Sequence, residues 1–353
     1  MNQQPKNHNK TSTTALSQIT PLLPGLILIA GIVIVSTILV KMGIGQAYGL
    51  SPLIYAILLG MVVGNTFLKR ISKATNEGIN FAKSKLLRLG IILYGFNLTI
   101  NKVWALGLEA IVIDAIMLIS TFLLSYYFGT RVLKMDKDTS ILSGAGCSIC
   151  GAAAIMATAS VAKARTAAVS QAVTIIVLFG TLAIFIYPLL YPFVTQYITD
   201  SAFGVYVGSS VHEVAQVVAI GKVLGTDVAD TAILAKMVRV IMLAPFLFVI
   251  SFVFYSQGSK DGASEASKRI VLPWFAVWFL LMIVLNSVLP LPQELIANIL
   301  LVDNILLMMA MAGLGLSTQL STFKAAGPRP FALGLVVFIW LIVVGMALQL
   351  IFA

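Results

Sequence analysis

The chain has 353 residues, 59% of them hydrophobic and only 10% charged, where a soluble domain carries roughly 25% charged residues. With a mean hydropathy of +1.00, a water-soluble globule is excluded and an all-α polytopic membrane protein is predicted. The formal charge of +10 raises nucleic acid as a partner, but the positive residues sit in short loops between apolar runs. That is the pattern of a cytoplasmic-membrane protein, and it excludes nucleic acid.

Residues 1–20 are rich in Asn, Gln, Ser and Thr and predict a disordered cytoplasmic tail. They lack the apolar core of a signal peptide, so 21–353 reads as one transmembrane domain. A spanning helix takes about 20 apolar residues. On that ruler about eleven segments follow, at 22–40, 49–68, 79–100, 104–129, 139–161, 167–191, 202–222, 229–256, 270–290, 296–318 and 330–352. The stretch 257–269 is a flexible cytoplasmic linker.

Four basic clusters orient the chain. They are Lys69, Arg70 and Lys73 with Lys83, Lys85 and Arg88; Arg131, Lys134 and Lys137; Lys260, Lys268 and Arg269; and Lys324 with Arg329. With a cytoplasmic N-terminus and one crossing per segment, all four fall inside and the C-terminus lies outside.

The fifth segment carries the most irregular stretch, Ser143 to Thr158, with Gly144, Gly146 and Gly151 among three hydroxyl residues. Each interior glycine costs roughly 0.8–1 kcal/mol relative to alanine, and loosened backbone is tolerated at membrane depth only where protein or a cavity receives it. Interrupted segments of this kind point to a transporter binding site. The seventh segment, with Gly208, Ser209, Ser210, His212, Glu213 and Gln216, is similar. Both are expected to be discontinuous, broken or re-entrant. Re-entry of the fifth moves Lys163 and Arg165 inside, and later loops keep their side only if the seventh re-enters too. Two discontinuous spanning helices are the favoured expectation.

An ionised residue at a helix centre costs roughly 2.5–3.5 kcal/mol, so His212 beside Glu213 predicts a proton- or ion-coupling pair, against the plainer reading of a structural hydrogen-bond pair. The order His212-Glu213-x-x-Gln216 lacks the second histidine of a zinc protease, and the other histidine, His8, lies in the tail. No metal or cofactor is predicted. Cys147-x-x-Cys150 has redox spacing, yet both cysteines also read as small packing residues. Asp114, near mid-segment, is a third ion-coupling candidate. Lys236 and Arg239, three apart on one helix, are candidates to neutralise an anion, or else reach for an interface. Asp303 and Asn304 are placed near a segment end.

Gly95-Phe96-Asn97-Leu98-Thr99 and Gly313-Leu314-Gly315-Leu316-Ser317 echo each other and suggest inverted repeats. Together with the two interrupted stretches, above all the His-Glu-Val-Ala-Gln string at 212–216, they resemble the YeiH-type membrane proteins, a family labelled sulfate exporters. The resemblance spans about Leu22 to the C-terminus. It implies a bacterial inner-membrane protein distantly similar to the cation:proton antiporter and bile-acid symporter superfamily, with two broken helices crossing at mid-membrane.

The expected function is a secondary transporter, and no enzyme, for a small inorganic or organic anion such as sulfate or a sulfonate, coupled to H⁺ or Na⁺. Ser143, Gly144, Gly146, Ser148, Gly151, Ser209, Ser210 and Gln216 would bind the solute, and His212, Glu213 or Asp114 would carry the coupling ion. Lipid surrounds the chain, and a homodimer is left open. The alternatives are a thiol oxidoreductase using Cys147 and Cys150, and an anion channel.

Overall fold

The computed structural model describes residues 20–44, 51–255, 274–318 and 327–352. The predicted tail up to residue 19, the linker at 257–269 and Lys324 lie outside the described residues. Among those residues the chain is helical, with no strand. The helices are α1 (Leu23–Lys41), α2 (Pro52–Thr66), α3 (Leu68–Phe81), α4 (Leu87–Tyr94), α5 (Ile100–Ala105), α6 (Gly107–Tyr127), α7 (Lys137–Ser148), α8 (Ala152–Ala162), α9 (Thr166–Val194), α10 (Asp200–Ser210), α11 (Val214–Leu224), α12 (Thr226–Ile241), α13 (Leu243–Ile250), α14 (Trp274–Val288), α15 (Gln293–Ser317) and α16 (Pro328–Phe352). Each predicted segment overlaps one of these helices or a joined pair, and among the described residues six units are individually long and apolar enough to cross a membrane.

The third unit starts earlier than its hydropathy suggests. Helix α3 is amphipathic and buries Thr75 and Ile79, docking on α1 where two glycines meet. A Cβ on Gly78 would lie 2.8 Å from the Gly25 Cα. A π-helical turn, Ala82–Leu86, then carries α3 into α4.

In each interrupted segment the two short helices fold back on each other as a hairpin. Helices α7 and α8 have 12 and 11 residues, so end to end they would separate residues 136 and 165 by roughly 35 Å at 1.5 Å per residue. Instead Asp136 and Arg165 are ion-paired at 3.4 Å, and Thr139 at the start of α7 reaches Gln171 near the start of α9 at 3.3 Å. The chain turns back at 149–151, where Gly151 adopts φ +73°, a conformation that side-chain-bearing residues rarely take. Likewise α10 and α11 both return to the first turns of α12. Added Cβ atoms on Gly204 and Gly221 would meet Val228 and Ala229 at 2.8 and 2.6 Å. The second turn-back is extended at Val211 and Glu213.

Two groups of helices pack among themselves. One holds α1–α4, α14 and α15; the other holds α6–α13 and α16, including both hairpins. They meet chiefly along α11 and α12. The echoing glycine stretches both end helices of the first group. Those helices, α4 and α15, run antiparallel, with Gly90 opposite Asp303 and Leu307 and Gly313 opposite Ala82 and Lys83.

Candidate functional site

A helix that stops inside protein leaves its last carbonyls without partners. Here α7 and α10 both stop in the interior, and Arg239 of α12 answers both. Its Nε donates to the Ser148 carbonyl, one terminal nitrogen donates to the Ser209 carbonyl, and the other donates to Cys147 O at 3.0 Å. One turn earlier, Lys236 Nζ donates to Val211 O at 2.5 Å. Both side chains are fully buried. A cation beside a helix C-terminus is favoured by the helix dipole, so these two residues tie the hairpin tips together. Neither lines the cavity described below.

The tips touch through Glu213. Its Oε1 accepts from the Ala152 N–H, the first of α8, at 3.4 Å. Its Oε2 accepts from Gln216 Nε2 at 3.4 Å, while Gln216 Oε1 accepts from the Glu213 N–H at 2.9 Å. Two glycines make room. A Cβ on Gly151 would lie 2.4 Å from Glu213 Cγ, and one on Gly180 would lie 2.2 Å from Gln216 Nε2. The carboxylate therefore rests between the starts of α8 and α11, where unpaired N–H groups and the helix dipoles favour an anion.

Glu213 borders a cavity of about 380 Å³ between the two helix groups. The hairpin group contributes Cys150, Ala152 and Thr174 to its wall; the other contributes Lys83, Arg88 and Ser317. At the far end the groups are bolted together. Lys222 of α11 donates to Asn304 Oδ1 at 2.9 Å, lies 3.6 Å from Asp303 Oδ2 and sits 4.5 Å over the Tyr94 ring. Asp230 of α12 accepts from the Tyr94 hydroxyl at 2.6 Å, from Asn97 Nδ2 at 2.9 Å and from Lys102. Beyond these bonds a second pocket is lined by Lys102, Asp200, Asp227 and Asp230, among others.

Of the residues expected to bind solute, Gly151 and Gln216 touch Glu213, and neither lines the cavity itself. Ser143, Gly144, Gly146, Ser148, Ser209 and Ser210 are buried inside the hairpins. Gly144 packs on Phe122 and Ser125, and Gly146 on Ile155 and Ile176. The Ser148 and Ser209 hydroxyls bond their own helices, and Ser210 accepts from Tyr187 at 2.7 Å. Of the coupling candidates, only Glu213 reaches the cavity. His212 is fully buried with its ring 6.2 Å from that of Phe338, and neither of its nitrogens is hydrogen-bonded. Asp114 is also fully buried with neither carboxylate oxygen hydrogen-bonded. Cys147 and Cys150 are free thiols, and Cys150 borders the cavity. Among the described residues no group of three or more His, Cys, Asp or Glu is placed to hold a metal.

Sequence reasoning counted Lys83 and Arg88 only as orientation signals, and it passed over Lys222, Asp230 and Tyr94. Lys222 carried a usable signal as a lone charge within an apolar run, whose burial needs a partner.

The sequence matches the family model described as Conserved hypothetical protein 698 over residues 24–334. It is 51% identical over 322 residues to a UPF0324 membrane protein of Neisseria meningitidis, covering 91% of this chain and 94% of that protein. It is 50% identical over 322 residues to a UPF0324 membrane protein of Haemophilus influenzae, with the same coverage. It is 49% identical over 301 residues to the UPF0324 inner membrane protein YeiH of Escherichia coli K12, covering 85% of this chain and 86% of that protein. No solved structure matches the chain.

Proposed function

The chain belongs to the Conserved hypothetical protein 698 family, with relatives named UPF0324 membrane proteins, and from that premise we propose that it is a secondary carrier of a small anion in the bacterial inner membrane. One observation carries the reading. A cavity with Lys83 and Arg88 on its wall ends at two helix starts, and the helix groups that form it are hydrogen-bonded to each other away from it, through Lys222 with Asn304 and Asp230 with Tyr94. A solute site reached from one side only, between two separately packed groups, is what alternating access requires. A channel would need an opening through both ends.

The hairpins re-enter from opposite faces of the membrane. The units α1, α2, α3–α4, α6, α9, α12–α13, α14, α15 and α16 cross it, with the N-terminus cytoplasmic and the C-terminus outside. This arrangement keeps the four basic clusters inside. It also brings Lys163 and Arg165 in beside Arg131, Lys134 and Lys137, so the positive-inside bias is stronger than with eleven crossings. The cavity then faces the cytoplasm and the Lys222 and Asp230 contacts close the outer side. The antiparallel glycine-ended helices α4 and α15 fit an inverted repeat.

The solute class is a small oxyanion such as sulfate or a sulfonate, driven by H⁺ or Na⁺. The test is uptake of labelled sulfate and methanesulfonate into proteoliposomes under imposed pH and Na⁺ gradients. Gradient-driven uptake that persists in the Cys147→Ala/Cys150→Ala protein is expected. Loss of uptake in that variant would move the chemistry to the thiols, and ion conductance without gradient coupling would make the protein a channel.

A further inference from the structure

The group found where the helix starts converge is the protein's own carboxylate. Glu213 is tethered at the second hairpin tip, reaches the first N–H of α8 and is steadied by Gln216. It borders the cavity, where Lys83 and Arg88 contribute positive charge to the opposite wall. The titratable and charged groups near it are Lys83 from the turn between α3 and α4, Arg88 from α4 and Cys150 from the first tip, which line the same cavity, and Lys236 from α12, bonded to Val211 O two residues before it. A second anion at the same helix starts would meet it at contact distance, where like charges repel by several kcal/mol at protein-like screening.

We propose that Glu213 is a built-in competitor for the carried oxyanion, occupying the solute's place in the empty carrier and yielding it only on protonation. The inference rests on the anion-carrier reading. The exchange balances: one proton converts the Glu213 carboxylate to a neutral acid, which leaves the Ala152 N–H, and one monovalent anion takes that place. The charge of the site is unchanged, so one proton accompanies each monovalent anion. Gly151 serves the exchange, since a Cβ there would strike Glu213 Cγ at 2.4 Å. Gln216 is the positioning residue that returns the carboxylate when the anion leaves.

The experiment is equilibrium binding of sodium methanesulfonate, with sodium sulfate as a second probe, to the full-length protein in detergent between pH 5.5 and 8. Glu213→Gln and Glu213→Ala are measured beside the parent, and monodispersity on size exclusion is the folding control. The parent should bind methanesulfonate more weakly as pH rises, approaching about tenfold per pH unit, the linkage of one exchanged proton. Both variants should bind at least tenfold more tightly than the parent at pH 8, with affinity flat across the range. A parent affinity that is flat with pH overturns the exchange while the carrier reading stands, as does a variant that keeps the parent's pH slope. Folded variants that bind neither probe overturn it as well, because a vacated site must accept an anion. If the parent in addition transports neither, the carrier reading falls with it.

Discussion

Arg239 joins the ends of two interior helices. Three carbonyls at two helix ends depend on it, and a hydrogen bond to a charged group contributes about 1.5–3 kcal/mol. Arg239→Met should leave those acceptors bare and lower the thermal stability of the purified protein steeply. Arg239→Lys should recover only part, because a single ammonium lacks the guanidinium fork. An Arg239→Met protein as stable as the parent would contradict the tip-binding role. At the base of the first hairpin, Asp136 caps α7. Burial alone would raise its carboxyl, but the Thr139 N–H and hydroxyl and the neighbouring Arg165 hold it below the ordinary carboxylate range. A depressed carboxylate stabilises the fold above its unfolded value, near pH 3.9, and that contribution fades as pH falls through the lower folded value. Asp136→Ala should cost about 1 kcal/mol as a lost cap, measured as a lowered midpoint at pH 7, with the difference from the parent shrinking in acid.

At the scale of elements, close glycine contacts set how the second hairpin sits. A Cβ on Gly208 would lie 2.5 Å from the Ala232 carbonyl oxygen in α12, and backbone does not move aside as a side chain does. Gly208→Ala should therefore destabilise by about 1–3 kcal/mol, the usual cost of overpacking, read as a lowered unfolding midpoint. The positions of the helices were legible in the sequence because runs of apolar residues record them directly. The hairpins were not. A pair of 11- or 12-residue apolar helices has the same hydropathy whether it runs straight or folds back. What decides is the pairing of Asp136 with Arg165, a contact between residues on either side of the segment. At the site, Glu213, Gln216 and Gly151 stood out because a charge or a run of glycine is costly at that depth. The serines expected to bind solute lie inside the hairpins, and their side chains' directions were not legible. Without the helical phase, nothing distinguishes a hydroxyl that faces a cavity from one bonded back to its own helix, as at Ser148 and Ser209. Lys83 and Arg88 hid among loop charges.

At the scale of the molecule, the two helix groups are held together at one end by Lys222 with Asp303 and Asn304, and by Asp230 with Tyr94, Asn97 and Lys102. On the carrier reading proposed above, these contacts break when the cavity opens on the other face. Asp230→Asn removes the charge that Lys102 answers while keeping the size of the side chain, so it should loosen the seal. Cys150, a free thiol on the wall of the cavity behind these bonds, should then react faster with a membrane-impermeant thiol reagent added outside. An unchanged rate would mean that these bonds do not hold the groups shut.

The whole account stands on hairpins that enter from opposite faces, and one measurement reads this directly. Single cysteines at Arg165 and at Asp200, in a Cys147→Ala/Cys150→Ala background, can be labelled with an impermeant maleimide in right-side-out and inside-out vesicles. Opposed hairpins place position 165 on the cytoplasmic side and position 200 outside. Two spanning broken helices reverse both, with position 165 labelled from outside and position 200 from inside, and that result would contradict the account.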